Sequence, residues 1–420
     1  MSSGALRFTA AEGWRYGLLG LPLAFVALPL YVLLPNHYAR DFGLPLAALG
    51  ALLLAVRLLD AVLDPWIGRA CDRLFARSPV AVLRLGRIAA VLLAGGFALL
   101  FFPPVRAEAS LLAWAAACLV VTSLAFSALA IGHQSWGAML GGDGPMRSRV
   151  VAWREASGLL GVLLASVLPL LAGFAVTSGV LALALGFACL AWSQAPRPQP
   201  APHALQAPWQ LPWRTRSFRR LLAVFLLNGI ASAVPATLVL FFVQDHLQAS
   251  AAMEPLFLGA YFLCAAAAIP AWLALVPRIG LERTWLAGML LAVLAFAGAA
   301  FLRAGDAPGF LLVCLLSGAA LGTDLALPGA LLAGVIAAAG HRGQAEGAYF
   351  GWWNCAGKLN LALAAGLALP LLELAGYIPG TRAPDALQAL VLAYCVLPCL
   401  LKLAAAALLW RFLIRTERRP

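Results

Sequence analysis

The sequence predicts an all-α polytopic membrane protein, and three observations carry that prediction. Of 420 residues, 63% are hydrophobic and only 11% are charged, whereas soluble domains run near ~45–50% apolar and about 25% charged. The mean hydropathy of +0.91 is spread along the chain instead of being confined to one anchor. The apolar runs are continuous, as at 157–171 and 286–301, where a transmembrane barrel would alternate apolar and polar residues with a period of two. This composition excludes a soluble enzyme, a nucleic-acid reader and a disordered linker protein.

A spanning helix takes about 20 apolar residues, so a chain of this length with short loops holds about twelve. Pro, Gly and Arg clusters divide the apolar runs accordingly. The first two runs are 14–38 and 45–70. A basic loop with Arg69, Arg73, Arg77, Arg84 and Arg87 separates them from 82–103 and 110–134. Arg147 and Arg149 precede 150–172 and 174–194. The second half repeats the pattern at 218–242, 255–276, 284–303, 308–337, 345–375 and 387–413. Between the halves lies a Pro-rich polar stretch with Arg197, Arg214, Arg216, Arg219 and Arg220 that cannot span. The expected domains are therefore a six-helix bundle at 1–195, a cytoplasmic linker at 196–217 and a second six-helix bundle at 218–420. Such a division suggests parallel repeats of the major-facilitator kind. A 205-residue slide sets Pro65 on Pro270 and Arg73 on Arg278, but Asp60 on Ala265 and Asp64 on Ile269.

Of the 29 Lys and Arg, 21 fall in the two tails and the even-numbered loops, while the odd loops hold only Arg40, Arg106, Arg303 and Arg382. The positive-inside rule then sets both termini in the cytoplasm of a bacterial-type inner membrane, with an even number of spans. The net charge of +12 thus reads as topology, with no nucleic-acid partner expected. Seven of the eight cysteines lie in apolar runs and no CxxC occurs, so neither a disulfide framework nor a zinc site is expected. The N-terminus lacks a cleavable-signal pattern. No HExxH, GxSxG or P-loop occurs, so neither an enzyme nor a cofactor beyond a coupling ion is expected.

Ionisable groups inside a bilayer are costly, about 2.5–3.5 kcal/mol each on insertion scales. The second run reads AVRLLDAVLDPWIGRACDR. Arg57, Asp60 and Asp64 fall at i, i+3 and i+7 and share one helix face. Two carboxylates one turn apart in low dielectric cannot both stay bare anions. One is protonated, a cation sits between them, or basic groups neutralise them. Arg57 is one such group, and Lys358 is another if the halves face each other. Pro65 loosens the helix beside them. The pattern points to cation coupling through Asp60, Asp64, Arg57 and Lys358; a salt-bridge network fixing helix register is the plainer alternative. Gly68, Asp72 and Arg73 follow at the helix end, as a gate motif or as topology-setting charge.

These residues resemble a known family. Arg57-x-x-Asp60-x-x-x-Asp64-Pro65-x-x-Gly68 is similar to the helix-two signature of the glycoside–pentoside–hexuronide:cation symporters, the melibiose permease family. SWGAML at 135–140, Arg154, Leu327-Pro328, Glu346-Gly347, Lys358 and Ala375-Gly376-Tyr377 follow the family's order. The resemblance covers nearly the whole chain. It implies a major-facilitator fold, alternating access, and uptake driven by H⁺, Na⁺ or Li⁺. Asp60 and Asp64 then correspond to the cation-site acids and Lys358 to a helix-eleven lysine. This chain departs from the sugar-carrying relatives in helix one, where Pro22, Leu23 and Ala24 replace an acid. Gly132-His133-Gln134 stands where they carry an acid or amide, and Leu63 where sodium users carry Asn. The helix-four hydroxyl of a sodium site would fall near 128–130, which is Ala-Leu-Ala. With fewer oxygen ligands for a hard cation, proton coupling is favoured over Na⁺ at Asp60 and Asp64.

The remaining polar residues in apolar runs are candidate substrate ligands: His133, Trp136, Arg154, Asp324, Trp353 and Asn354. Each has a plainer role open to it: a core histidine, an interface tryptophan, a helix-start charge. Asn228 is a weaker candidate, and Lys402 reads as snorkelling or packing. The expected function is secondary active, cation-coupled symport of a small organic solute, a sugar or glycoside first. A lysolipid or other amphiphile symporter on the same fold is the alternative, and a membrane-embedded enzyme or a channel is a poorer fit. The expected partners are the solute and membrane lipid, with the monomer as the working unit.

Overall fold

The computed structural model describes residues 8–199, 208–250, 253–378 and 380–415. All regular elements among them are helical. The chain opens with α1 (Ala10–Gly17), α2 (Gly20–Leu28), a π-turn (Pro29–Leu33) and α3 (Leu34–Phe42). Thr9 caps α1 in a capping box with Glu12. The breaks fall where prolines withhold N–H donors. Then follow α4 (Leu46–Arg77), α5 (Pro79–Phe101), α6 (Glu108–Leu140), α7 (Gly144–Ser193) and the short α8 (Leu211–Arg214). The rest comprises α9 (Arg216–Phe241), α10 (Glu254–Ile279), α11 (Leu281–Ala299), α12 (Ala307–Ala338), α13 (Glu346–Leu374), α14 (Pro384–Val391) and α15 (Leu397–Leu409). Single π-turns extend α9, join α14 to α15 and extend α15.

Eight helices among the described residues are long and apolar enough to cross a membrane. One of them, α7, is 50 residues long, far beyond the roughly 20 that a bilayer takes. It turns at Gly173, whose φ of 72° suits a residue without a Cβ, so the predicted division between 150–172 and 174–194 falls at this glycine. The stretches 10–42, 46–77 and 346–374 complete the pattern of twelve. The first is broken by proline, and α4 carries Arg57, Asp60 and Asp64.

The chain forms two compact units. The first is Met1–Thr215 with Ala333–Cys355; the second is Arg216–Leu332 with Ala356–Pro420. The grouping of 333–355 with the first unit departs from a simple cut at the 196–217 linker. The core of the first unit gathers Tyr16, Phe25, Phe97, Phe101, Trp136 and Trp192. Here α2 packs on α7 and α5 on α6. Gly20 faces the Arg154 carbonyl and Gly161 faces the Leu21 carbonyl, each so closely that a Cβ would collide. Small residues let the two backbones approach, as in membrane helix pairs generally. The core of the second unit gathers Val234, Phe242, Phe257, Phe310 and Tyr394, with α15 packed on α9 and α11.

Candidate functional site

Helix α4 carries the predicted acids into the interior of the first unit. Asp60 is 3% exposed and Asp64 is fully enclosed; Arg57, on the same face, is half-buried. The helix stays continuous through Pro65. Asp60 Oδ1 accepts a hydrogen bond from the Ser127 hydroxyl of α6 at 2.7 Å. No hydroxyl stands at 128–130, where a sodium site of the family is expected to carry one; the hydroxyl beside Asp60 is that of buried Ser127, one residue earlier. Lys358, the predicted cationic partner, is half-buried on α13 in the second unit, whereas both acids belong to the first.

The start of α13 lies against α4 within the first unit. A Cβ on Gly347 would strike the Gly68 carbonyl, and one on Gly68 would strike the Gly347 carbonyl. One turn along, a Cβ on Gly351 would meet the Asp64 carbonyl at 2.6 Å. Gly347-x-x-x-Gly351 thus forms the close-approach face on which α4 rests. Asp72 completes the contact: its carboxylate accepts the backbone N–H groups of Gly347 at 2.6 Å and Ala348 at 2.8 Å. It caps α13, meeting two of the four donors a helix start leaves open. Arg73, grouped with Gly68 and Asp72 by the sequence, is exposed. Arg342, in the turn before α13, donates to the Met139 and Leu140 carbonyls at the end of α6. In the same turn, His341 accepts from or donates to the Tyr349 hydroxyl at 2.8 Å. Burial holds this imidazole below its ordinary pKa.

The other predicted ligands are distributed through both units. His133 and Tyr16 clamp α6 to α1 reciprocally: His133 Nε2 meets the Tyr16 carbonyl at 2.8 Å, and the Tyr16 hydroxyl donates to the His133 carbonyl at 3.0 Å. Their rings stack at 4.2 Å. Trp136 is fully enclosed against Phe75 and Trp192, its indole N–H spent on the Pro196 carbonyl. Neither ring presents an open face to a ligand in this structure. Arg154 is ion-paired with its neighbour Glu155 on α7. Trp353 is buried. Asn354 donates to Gln134 Oε1 at 2.6 Å; Gln134 is the amide at the helix-four position where relatives carry an acid or amide.

In the second unit Asp324 of α12 gathers four side chains. Its Oδ1 accepts from Asn228 Nδ2 at 3.0 Å and Trp285 Nε1 at 2.8 Å. Its Oδ2 accepts from Ser232 Oγ at 3.3 Å and Lys402 Nζ at 2.8 Å. Lys402, 5% exposed, is therefore neither snorkelling nor mere packing. A lysine that snorkels keeps its ammonium at the interface, whereas this one is buried in an ion pair and also donates to Asn228 Oδ1 at 2.9 Å. No spacing in the sequence connects residues 228, 324 and 402; only the packing of α9, α12 and α15 does.

Charged groups buried among long apolar helices mark an integral membrane protein, and solved structures share its fold. The human organic anion transporter MFSD10 superposes with a TM-score of 0.70 at 18% identity, over 96% of this chain and all of that one. A bacterial homologue of the iron transporter ferroportin, in its outward-facing state, gives 0.71 at 16% identity, covering 98% of this chain and 100% of that one. The fucose:proton symporter FucP of E. coli gives 0.65 at 14% identity, covering 93% and 98%. No curated protein matches the sequence. The model of the MFS/sugar transport protein family matches residues 15–416, and the chain belongs to that family, the one its helix-two signature resembles. It is a transporter and not an enzyme.

Proposed function

We propose that the protein is a proton-coupled symporter of a small organic solute, working by alternating access in a bacterial-type inner membrane with both termini in the cytoplasm. The observation that carries this reading is the pair of enclosed carboxylates, Asp60 and Asp64, one helical turn apart on α4. Carboxylates enclosed within membrane helices serve as groups that bind and release protons, and a proton taken up at this pair is the coupling ion. Binding and releasing that proton changes the charge on α4 at the point where Gly351 lies against it. Leu63 stands where sodium-using relatives carry Asn, which leaves a hard cation with fewer oxygen ligands and favours the proton. The Asp72 cap and the Gly68–Gly347 contact form the gate: freeing α13 from α4 means breaking them.

A sugar or glycoside is the first solute class, supported by the family's description. Uptake of labelled sugars, glucuronides and lysolipids into vesicles, under an imposed proton or sodium gradient, tests both solute and ion. Sugar uptake driven by the proton gradient alone is the expected result. Lysolipid movement alone refutes the sugar class, and dependence on sodium with indifference to pH refutes the proton. One observation favours the amphiphile as a second reading: the second unit holds a largely apolar cavity beside Asp324 and Lys402.

A further inference from the structure

That cavity measures about 210 Å³ and lies among α9, α10, α11, α12 and α15. Val239, Phe257, Phe262 and Phe296 are among its walls, and the charged pair Asp324 and Lys402 reaches its surface. What the pair can offer a ligand follows from counting its hydrogen bonds. An ionised carboxylate has about four lone-pair sites, and four donors already occupy Asp324: Asn228, Trp285, Ser232 and Lys402. The acid therefore has no acceptor capacity to give. An ammonium has three hydrogens. Among the described residues, Asp324 and Asn228 take two of those on Lys402, a residue that lines the cavity, which leaves one for a ligand.

The charges cancel across 2.8 Å, so the site calls for a ligand without net charge; a buried anion here would arrive unpaired. A polyol fits poorly as well. Each buried hydroxyl needs a partner; the Ser317 and Ser232 hydroxyls on this wall are already committed to the Val313 carbonyl and to Asp324, and beside Lys402 the largely apolar wall adds the hydroxyls of Tyr261 and Tyr394, too few for a polyol. We propose that the cavity binds an uncharged, mainly apolar molecule whose acceptor oxygen takes the third hydrogen of Lys402. This rests on the amphiphile reading above and on no step of ion coupling. The same chemistry belongs to a diffusing solute and to the ester end of a membrane lipid.

The test uses the full chain in lipid nanodiscs, without any gradient, and three probes of one shape: 4-phenyl-1-butanol, butylbenzene and 4-phenylbutyrate. Calorimetric titration is expected to show saturable binding of the alcohol, roughly tenfold tighter than the hydrocarbon, the scale of one hydrogen bond from a charged donor. The carboxylate should bind no better than the hydrocarbon. Ala236 lines the cavity, and Ala236→Phe fills it without touching the ion pair; it should weaken the alcohol at least tenfold. The paired change Lys402→Met with Asp324→Asn should bring the alcohol down to the level of the hydrocarbon. Native mass spectrometry separates the sources. Lipid released as the alcohol binds identifies a lipid occupant, and binding without release identifies a diffusing solute. Equal affinity for alcohol and hydrocarbon, tighter binding of the carboxylate, or an Ala236→Phe variant that binds normally overturns the proposal. Because nothing is transported in this measurement, its failure leaves proton coupling standing, and failed coupling leaves the cavity standing.

Discussion

The Ser127 hydroxyl donates to Asp60 Oδ1 at 2.7 Å, joining α6 to α4 on a buried face. A hydrogen bond to a charged group contributes about 1.5–3 kcal/mol. Ser127→Ala is therefore expected to lower proton-driven uptake about tenfold or more, while Ser127→Thr, which keeps the hydroxyl, retains most of it. Initial rates in vesicles of matched protein content check this; equal loss in both variants would point to packing and not to the hydroxyl.

Asp72 holds two backbone N–H groups of α13. Removing a helix cap costs about 0.5–2 kcal/mol. Asp72→Ala should lower the thermal midpoint by several degrees, and Asp72→Asn, with one acceptor oxygen left, by less. Differential scanning fluorimetry in detergent gives the order, and a reversed order contradicts the capping role.

The glycines divide into those that touch and those that do not. Gly161 and Gly351 each face a backbone carbonyl, whereas Gly179 has open space where a Cβ would stand. Gly161→Leu and Gly351→Leu should abolish recovery of folded protein, with Gly179→Ala unchanged to within about 1 kcal/mol. Size-exclusion yield after expression reads this directly.

Lys402 and Asp324 are bonded at 2.8 Å with both side chains largely buried. Removing one member of such a pair costs about 3–5 kcal/mol, while replacing both by neutral groups is often far milder. Lys402→Met alone should melt well below the wild type, and Lys402→Met with Asp324→Asn should recover much of the difference. Thermal midpoints of the three proteins decide the matter; a double variant no better than the single one would remove the pair's energetic role.

The fold was legible because its signals are local. Apolar run length, prolines and the sorting of arginine mark the helices, and Gly173 turns the chain where the sequence divides 150–172 from 174–194. Asp60 and Asp64 were legible because helix spacing alone puts them on one face. What the sequence could not show is contact between distant segments. Ser127 is 67 residues from Asp60, and Lys402 is 78 from Asp324; neither spacing carries a period that would pair them. Lys402 reads as a snorkelling lysine because its own run is apolar, and only the packing of α9 and α12 around it supplies the partners. Gly347 and Gly351 likewise look like ordinary membrane-helix glycines until α4 is laid against them.

The central claim is that the α4 carboxylates couple transport to protons. The direct measurement is solute accumulation in sodium-free proteoliposomes with an imposed pH gradient, for the wild type, Asp60→Asn and Asp64→Asn. The wild type is expected to accumulate solute against its gradient. Both variants should lose accumulation, at least one of them while still exchanging solute downhill. Undiminished accumulation in both variants, or a wild type that ignores pH and works only with sodium, contradicts the claim.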